Sequence, residues 1–446
     1  MSILEKAVPG KLFYIATLGC KVNQYESDGI AGDLISGGWR QCSHSSDADV
    51  CIINTCAVTS RAAMQSRQEI RKIVRSNPHA RIVVTGCHAE TEPHEIAKIG
   101  HVDIITGHRD KFGIPSAIMG GYRPCILPSP ALPGRDGIIF HSFPPSVTGS
   151  KTRAYLKIQD GCSSFCTYCI VPHARGPSRS MPEEEVLNHL VHLTSLGYRE
   201  AVITGIHVGA YGLDFSKKIT LTQLLQRIEQ LNPIPRIRLS SIEPGELTRG
   251  IIDMAARKTI LCDHFHIPLQ SGDDNILQRM GRPYDSKLFH SLIMKIKKDV
   301  PSAAVGVDIL VGFPGESDQA FENTCKLIEE LPVTYLHVFP FSPRKGTPAF
   351  DFPDKVPSRT IKTRSALLRT LGLEKRREFE NRALGNVLGA VIQEKRDEVT
   401  GRLTALTSNY LSVLVDGGDG LKGKIVSIIP EKRKKDNRLY GTVQNP

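Results

Sequence analysis

The sequence predicts an α/β chain built as an N-terminal parallel α/β domain, a central partial (βα)6 barrel and a C-terminal small all-β barrel. Three observations predict it. Between residues 11 and 110, short apolar strands alternate with helical segments. The alternation breaks across a stretch rich in Pro, Gly and Ser and then resumes for six longer strand–helix units. Beyond a long basic helix the pattern turns to short alternating strands separated by glycine turns. These changes place domains at 11–120, 151–383 and 384–446, with a linker at 121–150; 446 residues suit several domains.

In the first part, "LFYIATLG" reads as a strand and "NQYESDGIAGDLISGG" as a helix ending in glycine. "DVCIINT" is a strand, "SRAAMQSRQEIRKIVRS" a basic helix stopped by Asn77-Pro78, and "ARIVVTG" a strand followed by a short helix after Pro93. A βαβαβα order requires parallel pairing. In the central part, strands are expected at Ala154–Gln159, Glu200–Thr204, Arg236–Leu239, His264–Ile267, Ala303–Val311 and Tyr335–Phe339. Helical patterns such as "EEEVLNHLVHLTSLG" and "AFENTCKLIEEL" separate them, as a parallel barrel requires. Residues 358–383 read as the long basic helix, and the glycine-punctuated strands after it fit a small closed barrel.

Forty per cent hydrophobic residues suffice for ordinary cores. No apolar run reaches membrane-spanning length and "MSILEKAVPGKLF" lacks a signal-peptide core, so we expect a cytoplasmic protein without a membrane partner. A formal charge of +11 suits a polyanion such as nucleic acid. The eleven cysteines are an odd, scattered set; in a reducing compartment, clustered ones point to metal rather than to disulfides.

Cys162, Cys166 and Cys169 form C-x3-C-x2-C in "GCSSFCTYC", in the loop after the first barrel strand. Active sites of such barrels lie at the C-terminal ends of strands. Thiolates hold iron–sulfur clusters, usually four to a cubane, so three leave one iron open for another ligand. A zinc knuckle borrowing His173 is the alternative. A second trio is dispersed: Cys20 follows "IATLG", Cys56 follows "CIINT" and Cys87 follows "IVVTG". Each sits just past a strand. Strand ends of a parallel sheet share one edge, so three distant residues can converge there, which again suggests a cluster with an open iron; small buried core residues are the alternative. Cys51 lies inside a strand and reads as core; Cys42, Cys125, Cys262 and Cys325 have no partner at ligand spacing.

C-x3-C-x-aromatic-x-C, with Tyr168 as the aromatic residue, resembles the radical S-adenosylmethionine motif. Together with "TLGCKVNQYES", "NTCAVTSRA", "VTGCHAE" and "DGCSSFCTYCIVPHARG", the chain resembles the methylthiotransferase family; "ITGIHVGAYG", "HIPLQSGDDNILQRMGR" and "DILVGFPGES" extend the likeness through the barrel, and "TALTSNY" is similar to that family's RNA-binding β-barrel, the TRAM module. The resemblance implies a radical barrel, two 4Fe–4S clusters (Cys162/Cys166/Cys169 and Cys20/Cys56/Cys87) and S-adenosyl-L-methionine as cofactor. It implies a transferase that places a methylthio group on an unactivated carbon, one S-adenosylmethionine methylating a cluster-held sulfur and a second supplying the radical. Adenine C2–H is beyond the reach of any side-chain base, so a cofactor must carry this chemistry.

Branches of the family modify adenosines beside the tRNA anticodon bearing threonylcarbamoyl or isopentenyl on N6, or an aspartate of a ribosomal protein. "GCKVNQYES" is most similar to the threonylcarbamoyl branch, which implies the tRNA anticodon stem-loop as partner, with a flavodoxin- or ferredoxin-type electron donor and a sulfur donor the sequence does not name. For the cofactor, Thr204 and Gly205 would let backbone meet the methionine amino group, Glu243 would meet the cofactor or Arg282, and Asp308 and Gly312 would approach the adenine at the end of the fifth strand. Phosphates would be met by Arg359, Lys362, Arg364, Arg369, Lys375, Arg376 and Arg377 of the long helix, and the last domain would add Tyr410 for bases and the basic run "EKRKK". A non-enzymatic iron–sulfur RNA-binding protein is the rival of another class; the cofactor motif on a complete barrel argues against it.

Overall fold

The computed structural model describes residues 11–108, 110–120, 125–126, 140–145, 152–434 and 436–444. The linker read at 121–150 lies largely outside them, as does the side chain of Cys125. The chain forms two compact units. The first holds the chain up to Thr148 together with Asp160–Ser164 and Cys169–Pro177; the second holds Gly149–Gln159, Phe165–Tyr168 and Ser178 onward.

The first unit is built on β1 (Leu12–Thr17), β2 (Arg40–Gln41), β3 (Val50–Thr55), β4 (Arg81–Gly86), β5 (Ile104–Ile105) and β6 (Cys125–Ile126). They form one wholly parallel sheet in the order β2-β1-β3-β4-β5-β6. The three long strands were legible; β2, β5 and β6 are two residues each, too short to show a period. Between the strands run α1 (Lys21–Ser36), α2 (Ser60–Ser76), α3 (Cys87–Thr91), α4 (Pro93–Ala97) and α5 (Ile114–Met119). β3 is buried along its whole length, as a central parallel strand covered on both faces should be. Cys51 and Ile53 share one face with Ile82 and Val84 and pack with Ile70 and Ile73 of α2, so the core reading of Cys51 holds. Thr59 caps α2 by accepting from Ala62 N. The helix stops at Asn77, whose Nδ2 donates to three carbonyls, of Ser45, Ser46 and Ala48. The segment Val171–Arg175 (α6) completes this unit.

The second unit carries β7 (Ala154–Lys157), two-residue strands β8 (Gln159–Asp160, of which Gln159 belongs here) and β9 (Arg179–Ser180), and then β10 (Glu200–Thr204), β11 (Arg236–Leu239), β12 (His264–Gln270), β13 (Ala304–Val311) and β14 (Tyr335–Pro340). The six long strands form two parallel three-stranded sheets, β11-β10-β7 and β12-β13-β14, joined by bridges at Ile237–Leu261 and Ser241–His266. Around them lie α7 (Glu183–Ser195), α8 (Leu221–Leu231), α9 (Arg249–Arg257), α10 (Asp274–Met280), α11 (Ser286–Asp299) and α12 (Asp318–Glu330). This is the expected partial (βα)6 arc. β12 outlasts its expected end at Ile267 because Pro268 sits where the register shifts, a position that tolerates a residue with no N–H to give. β7 ends at Lys157, two residues short of the expected Gln159.

The basic helix α13 runs Ser358–Ala383. The chain then closes a five-stranded barrel from β15 (Leu388–Arg396), β16 (Leu403–Thr407), β17 (Ser412–Val415), β18 (Ile425–Arg433) and β19 (Leu439–Val443). Its core of Ala390, Ile392, Leu403, Val413 and Ile428 also takes in Phe379 and Ala383 of α13 and Ala304 of β13. Among the described residues no helix is long and apolar enough to cross a membrane.

Candidate cluster and cofactor sites

Parallel register brings the dispersed cysteines to one edge. Thr17 pairs with Asn54 and Thr55 with Gly86, so β1, β3 and β4 end level, and Cys20, Cys56 and Cys87 follow those ends. Cys20 is the N-cap of α1 and is exposed; Cys87 opens α3 and, like Cys56, is buried. The glycines before two of them are obligatory. Gly19 has φ +96°, and a Cβ there would lie 2.9 Å from Cys56 Sγ. Gly86 has φ +98°, and its Cβ would lie 2.3 Å from Thr55 O. Burial pushes the Cys56 thiol up and the Cys87 thiol up to about 12; the neighbouring cysteines add to the rise, while Arg175 opposes it. Three thiols gathered at one strand edge suit a soft iron–sulfur core.

A polar network that the sequence reading did not single out lies beside this trio. His108 places Nε2 3.3 Å from Cys87 Sγ. It is held well below its usual range by burial, with Arg175 and Lys111 adding to the effect, so it stands neutral. Lys111 Nζ donates to Glu26 Oε2 at 2.5 Å. Arg175 bonds Asn23, Glu26 and Asp160. Asn23 and Arg175 sat inside quoted motifs, but nothing in a single sequence shows that residues 152 positions apart meet.

Of the C-x3-C-x2-C cysteines, Cys162 and Cys169 belong to the first unit and Cys166 to the second. Within the second unit, buried Cys166 accepts from Arg282 Nη1 at 3.2 Å, and Arg282 Nη2 pairs with Glu243 at 3.1 Å. Arg282 Nε donates to Tyr284 Oη at 2.9 Å, and that hydroxyl donates to Pro268 O, which ties the guanidinium to the end of β12. Glu243 therefore meets Arg282, one of its two expected partners; burial raises its carboxyl while Arg282 and His207 oppose.

The other expected cofactor residues fall as follows. Thr204 closes β10, and its carbonyl accepts from Ile158 N. A Cβ on Gly205 would lie 2.9 Å from Gln159 Oε1, so glycine keeps the turn open there. Tyr168 packs edge-on to Phe313 at 6.4 Å. Gly312 has φ +82°, gives its N–H to Glu316, and has Ile361 filling the space beside its Cα. Asp308 lies inside β13 rather than at its end. Its Oδ1 takes hydrogen bonds from His266 Nε2 (2.7 Å) and His337 Nδ1 (3.3 Å), and Tyr335 Oη lies 3.2 Å from His266 Nδ1 and 2.8 Å from His264 Nε2. Burial would raise the Asp308 carboxyl, but the two imidazoles overcome it and hold it well below the carboxylate range. The His266, Asp308 and His337 donor atoms lie within 4.8 Å of one another, close enough for one cation, yet their mutual hydrogen bonds satisfy them without it.

Residues 12–107 match the model of "Uncharacterized protein family UPF0004" and residues 156–328 that of the radical SAM superfamily. The chain is 38% identical over 418 residues to the threonylcarbamoyladenosine tRNA methylthiotransferase MtaB of Bacillus subtilis (strain 168), covering 92% of each. It is 34% identical over 424 residues to the enzyme of that name from Aquifex aeolicus (strain VF5), covering 93% of this chain and 98% of the relative. Identity to the tRNA-2-methylthio-N(6)-dimethylallyladenosine synthase of B. subtilis is 31% over 436 residues, covering 95% and 84%. The chain belongs to the methylthiotransferase family of radical S-adenosylmethionine enzymes.

The fold agrees. The radical S-adenosylmethionine methyltransferase TsrM from Kitasatospora setae, solved with cobalamin and a 4Fe–4S cluster bound, superposes with a TM-score of 0.54 at 15% identity, covering 76% of this chain and 74% of that one. As a methylthiotransferase of this family the chain is a transferase whose cofactors are S-adenosylmethionine and 4Fe–4S clusters.

On the second unit's surface, four of the helix cations expected to meet phosphate are otherwise engaged: Arg369 donates to Val338 O at 3.3 Å and Arg376 to Glu380 Oε1 at 2.8 Å, and two more are held more deeply. Arg364 is buried against Glu316 and Asp318 (2.6 and 2.7 Å), and Lys375 Nζ caps α12 by donating to the carbonyls of Glu329 and Leu331. Arg359, Lys362, Arg369, Arg376 and Arg377 are exposed. Tyr410 stacks on His264 at 4.3 Å and has the Arg238 guanidinium 5.1 Å from its ring centre, so its ring is a packing element of the barrel rather than an open platform for a base.

Proposed function

We propose that this methylthiotransferase converts N6-threonylcarbamoyladenosine beside the anticodon of tRNA to its 2-methylthio derivative, in the cytoplasm. The observation that carries the reading is the 38% identity across 92% of both chains to an enzyme of that name, against 31% to the dimethylallyl-type relative. The chemistry is supplied by S-adenosylmethionine and two 4Fe–4S clusters, which provide a carbon-centred radical and a methylated sulfur when bound.

The chain's residues divide around them. Cys162, Cys166 and Cys169 are the proposed ligands of the radical cluster, with Arg282 donating to Cys166 Sγ and held in place by Glu243 and Tyr284. Cys20, Cys56 and Cys87 are the proposed ligands of the auxiliary cluster, with neutral His108 beside Cys87. Tyr168, Thr204, Gly205, Glu243, Asp308 and Gly312 form the proposed setting for S-adenosylmethionine. We assign residues 11–120 to the auxiliary-cluster domain, 151–383 to the radical barrel and 384–446 to an RNA-binding barrel. A flavodoxin- or ferredoxin-type protein supplies electrons.

Nucleosides from a deletion strain test the substrate. The expected result is loss of 2-methylthio-threonylcarbamoyladenosine with its unthiolated parent retained. Loss of the methylthio-isopentenyl nucleoside, or of a modification on a ribosomal protein, would assign the chain to another branch. Cysteine variants test the division of labour. Cys162→Ala should stop S-adenosylmethionine cleavage, whereas Cys56→Ala should still release 5′-deoxyadenosine but give no methylthio product. Cys51→Ala, a trim of a buried core thiol, should keep both clusters and activity.

A further inference from the structure

Arg175 closes α6, six residues after Cys169, and is buried within the first unit. Its Nη1 donates to Glu26 Oε1 (3.0 Å) and Asp160 Oδ1 (2.8 Å); its Nη2 donates to Asn23 Oδ1 (2.6 Å) and Glu26 Oε2 (3.3 Å). Asn23 and Glu26 stand on the first turns of α1, the helix that Cys20 caps. Asn23 Nδ2 in turn donates to Leu18 O (2.8 Å) and Thr55 O (3.0 Å). One amide therefore grips the peptide two residues before Cys20 and the peptide joining Thr55 to Cys56, and Arg175 grips that amide. The preceding residue, Ala174, packs with Ala57 and Cys87, so the same short helix reaches the third cysteine. The segment bearing Cys162 and Cys169 is thus tied to all three strand ends that carry the dispersed trio.

Two cations and two carboxylates are paired beside this edge. Glu26 is shared between Arg175 and Lys111, and Asp160 is held by Arg175. Arg175 follows directly on Ala174, which packs with Ala57 and Cys87, so its guanidinium is carried on the short helix that reaches the third cysteine. A cluster on these thiolates gains one negative charge on reduction. A cation at this place favours the reduced form, and a carboxylate beside that cation opposes it.

We infer that Arg175 is a positioning residue of the auxiliary cluster: through Asn23 it fixes the peptides before Cys20 and Cys56, and it supplies the positive charge that raises that cluster's reduction potential. The inference rests on the proposed ligation by Cys20, Cys56 and Cys87.

The test uses the full-length chain with Cys162, Cys166 and Cys169 changed to Ala, reconstituted with ferrous iron and sulfide so that one cluster is titrated by potentiometric electron paramagnetic resonance. The parent should hold about four irons. Arg175→Gln should shift the redox equilibrium at least tenfold toward the oxidised form, 59 mV downward for one electron. Asp160→Asn keeps an acceptor for Arg175 and removes a negative charge, so it should shift the equilibrium the opposite way. Arg175→Lys keeps the charge but not the fork to Asn23; its potential should stay within threefold of the parent's equilibrium while a chelator strips its iron several times faster. A merely structural role predicts lower stability in each variant without opposite signs. If Arg175→Gln does not accumulate folded, the other two variants decide: an unmoved potential in Asp160→Asn overturns the inference, and an upward shift with faster iron loss from Arg175→Lys supports it. A parent that binds no iron overturns the proposed ligation and this inference with it. A loaded parent whose potential ignores these substitutions overturns this inference alone.

Discussion

Gly86 shows how tightly the auxiliary edge is specified at the level of one residue. Its φ of +98° and ψ of −172° fall where only glycine sits without strain, and its missing side chain is the space that Thr55 O occupies. Gly86→Ala should therefore cost roughly 2–6 kcal/mol, combining backbone strain with overpacking. It should also displace Cys87, which follows directly. Thermal unfolding and iron content of the reconstituted protein check this; full stability with full iron would show that the edge can shift. The cysteines were legible because each follows a strand, and strand ends of a parallel sheet are the one place where residues far apart in sequence must converge. Asn23, Glu26 and Arg175 were not legible in that way. Their partners lie across folds of the chain that no local period encodes, and a buried arginine reads in sequence like any surface arginine. Asp308 was placed at a strand end because the apolar run hid its position within β13; its two histidines lie on neighbouring strands whose register the sequence does not state.

Elements were read best where their period was long. α13 matched its expected residues because 26 residues of helix leave little room for error, whereas two-residue strands carry no pattern. Less visible was that the C-terminal barrel shares its core with neighbouring elements. Besides sharing Phe379, Ala383 and Ala304, it is latched by two arginines of β11. Arg238 donates to the carbonyls of Thr407 and Ser408, Arg236 to that of Leu406, and both pair with buried Glu200 of β10. Arg238→Met should cost about 3–5 kcal/mol, because it leaves the Glu200 carboxylate short of a partner and strands two carbonyls. Limited proteolysis should then release the barrel faster. The same group sets an acid dependence. Burial would raise the Glu200 carboxyl, but Arg238 and Arg236 overcome it and hold it at about 2, below its ordinary value of 4.5. A depressed carboxylate contributes its stability in full above its unfolded pKa and loses it as pH falls toward the folded value. The stability difference between the native chain and Glu200→Gln should thus be constant above about pH 5 and shrink between pH 4.5 and 2. Chemical denaturation at several pH values would show it, and a pH-independent difference would remove Glu200 from the latch.

At the scale of the whole molecule, the excess of eleven positive charges is the property that a tRNA substrate would use, and the structure sorts which cations are available for it. Arg364 and Lys375 serve the fold, whereas Arg359, Lys362 and Arg377 project from α13 into solvent. Under the proposed reading, these exposed side chains meet phosphates and release counterions on binding. Changing each of the three to Gln should leave thermal stability unchanged and weaken binding of a tRNA anticodon stem-loop. Each lost contact should also flatten the plot of log affinity against log salt by about 0.7–0.9. Arg364→Gln should behave in the opposite manner: it removes the partner of buried Glu316, so it should lower stability while leaving the salt slope unchanged wherever the protein remains folded. If the three exposed substitutions leave the slope untouched, RNA meets another surface and α13 is only the strap that its buried face, with Leu368 inside and Gly372 against Leu336, makes it.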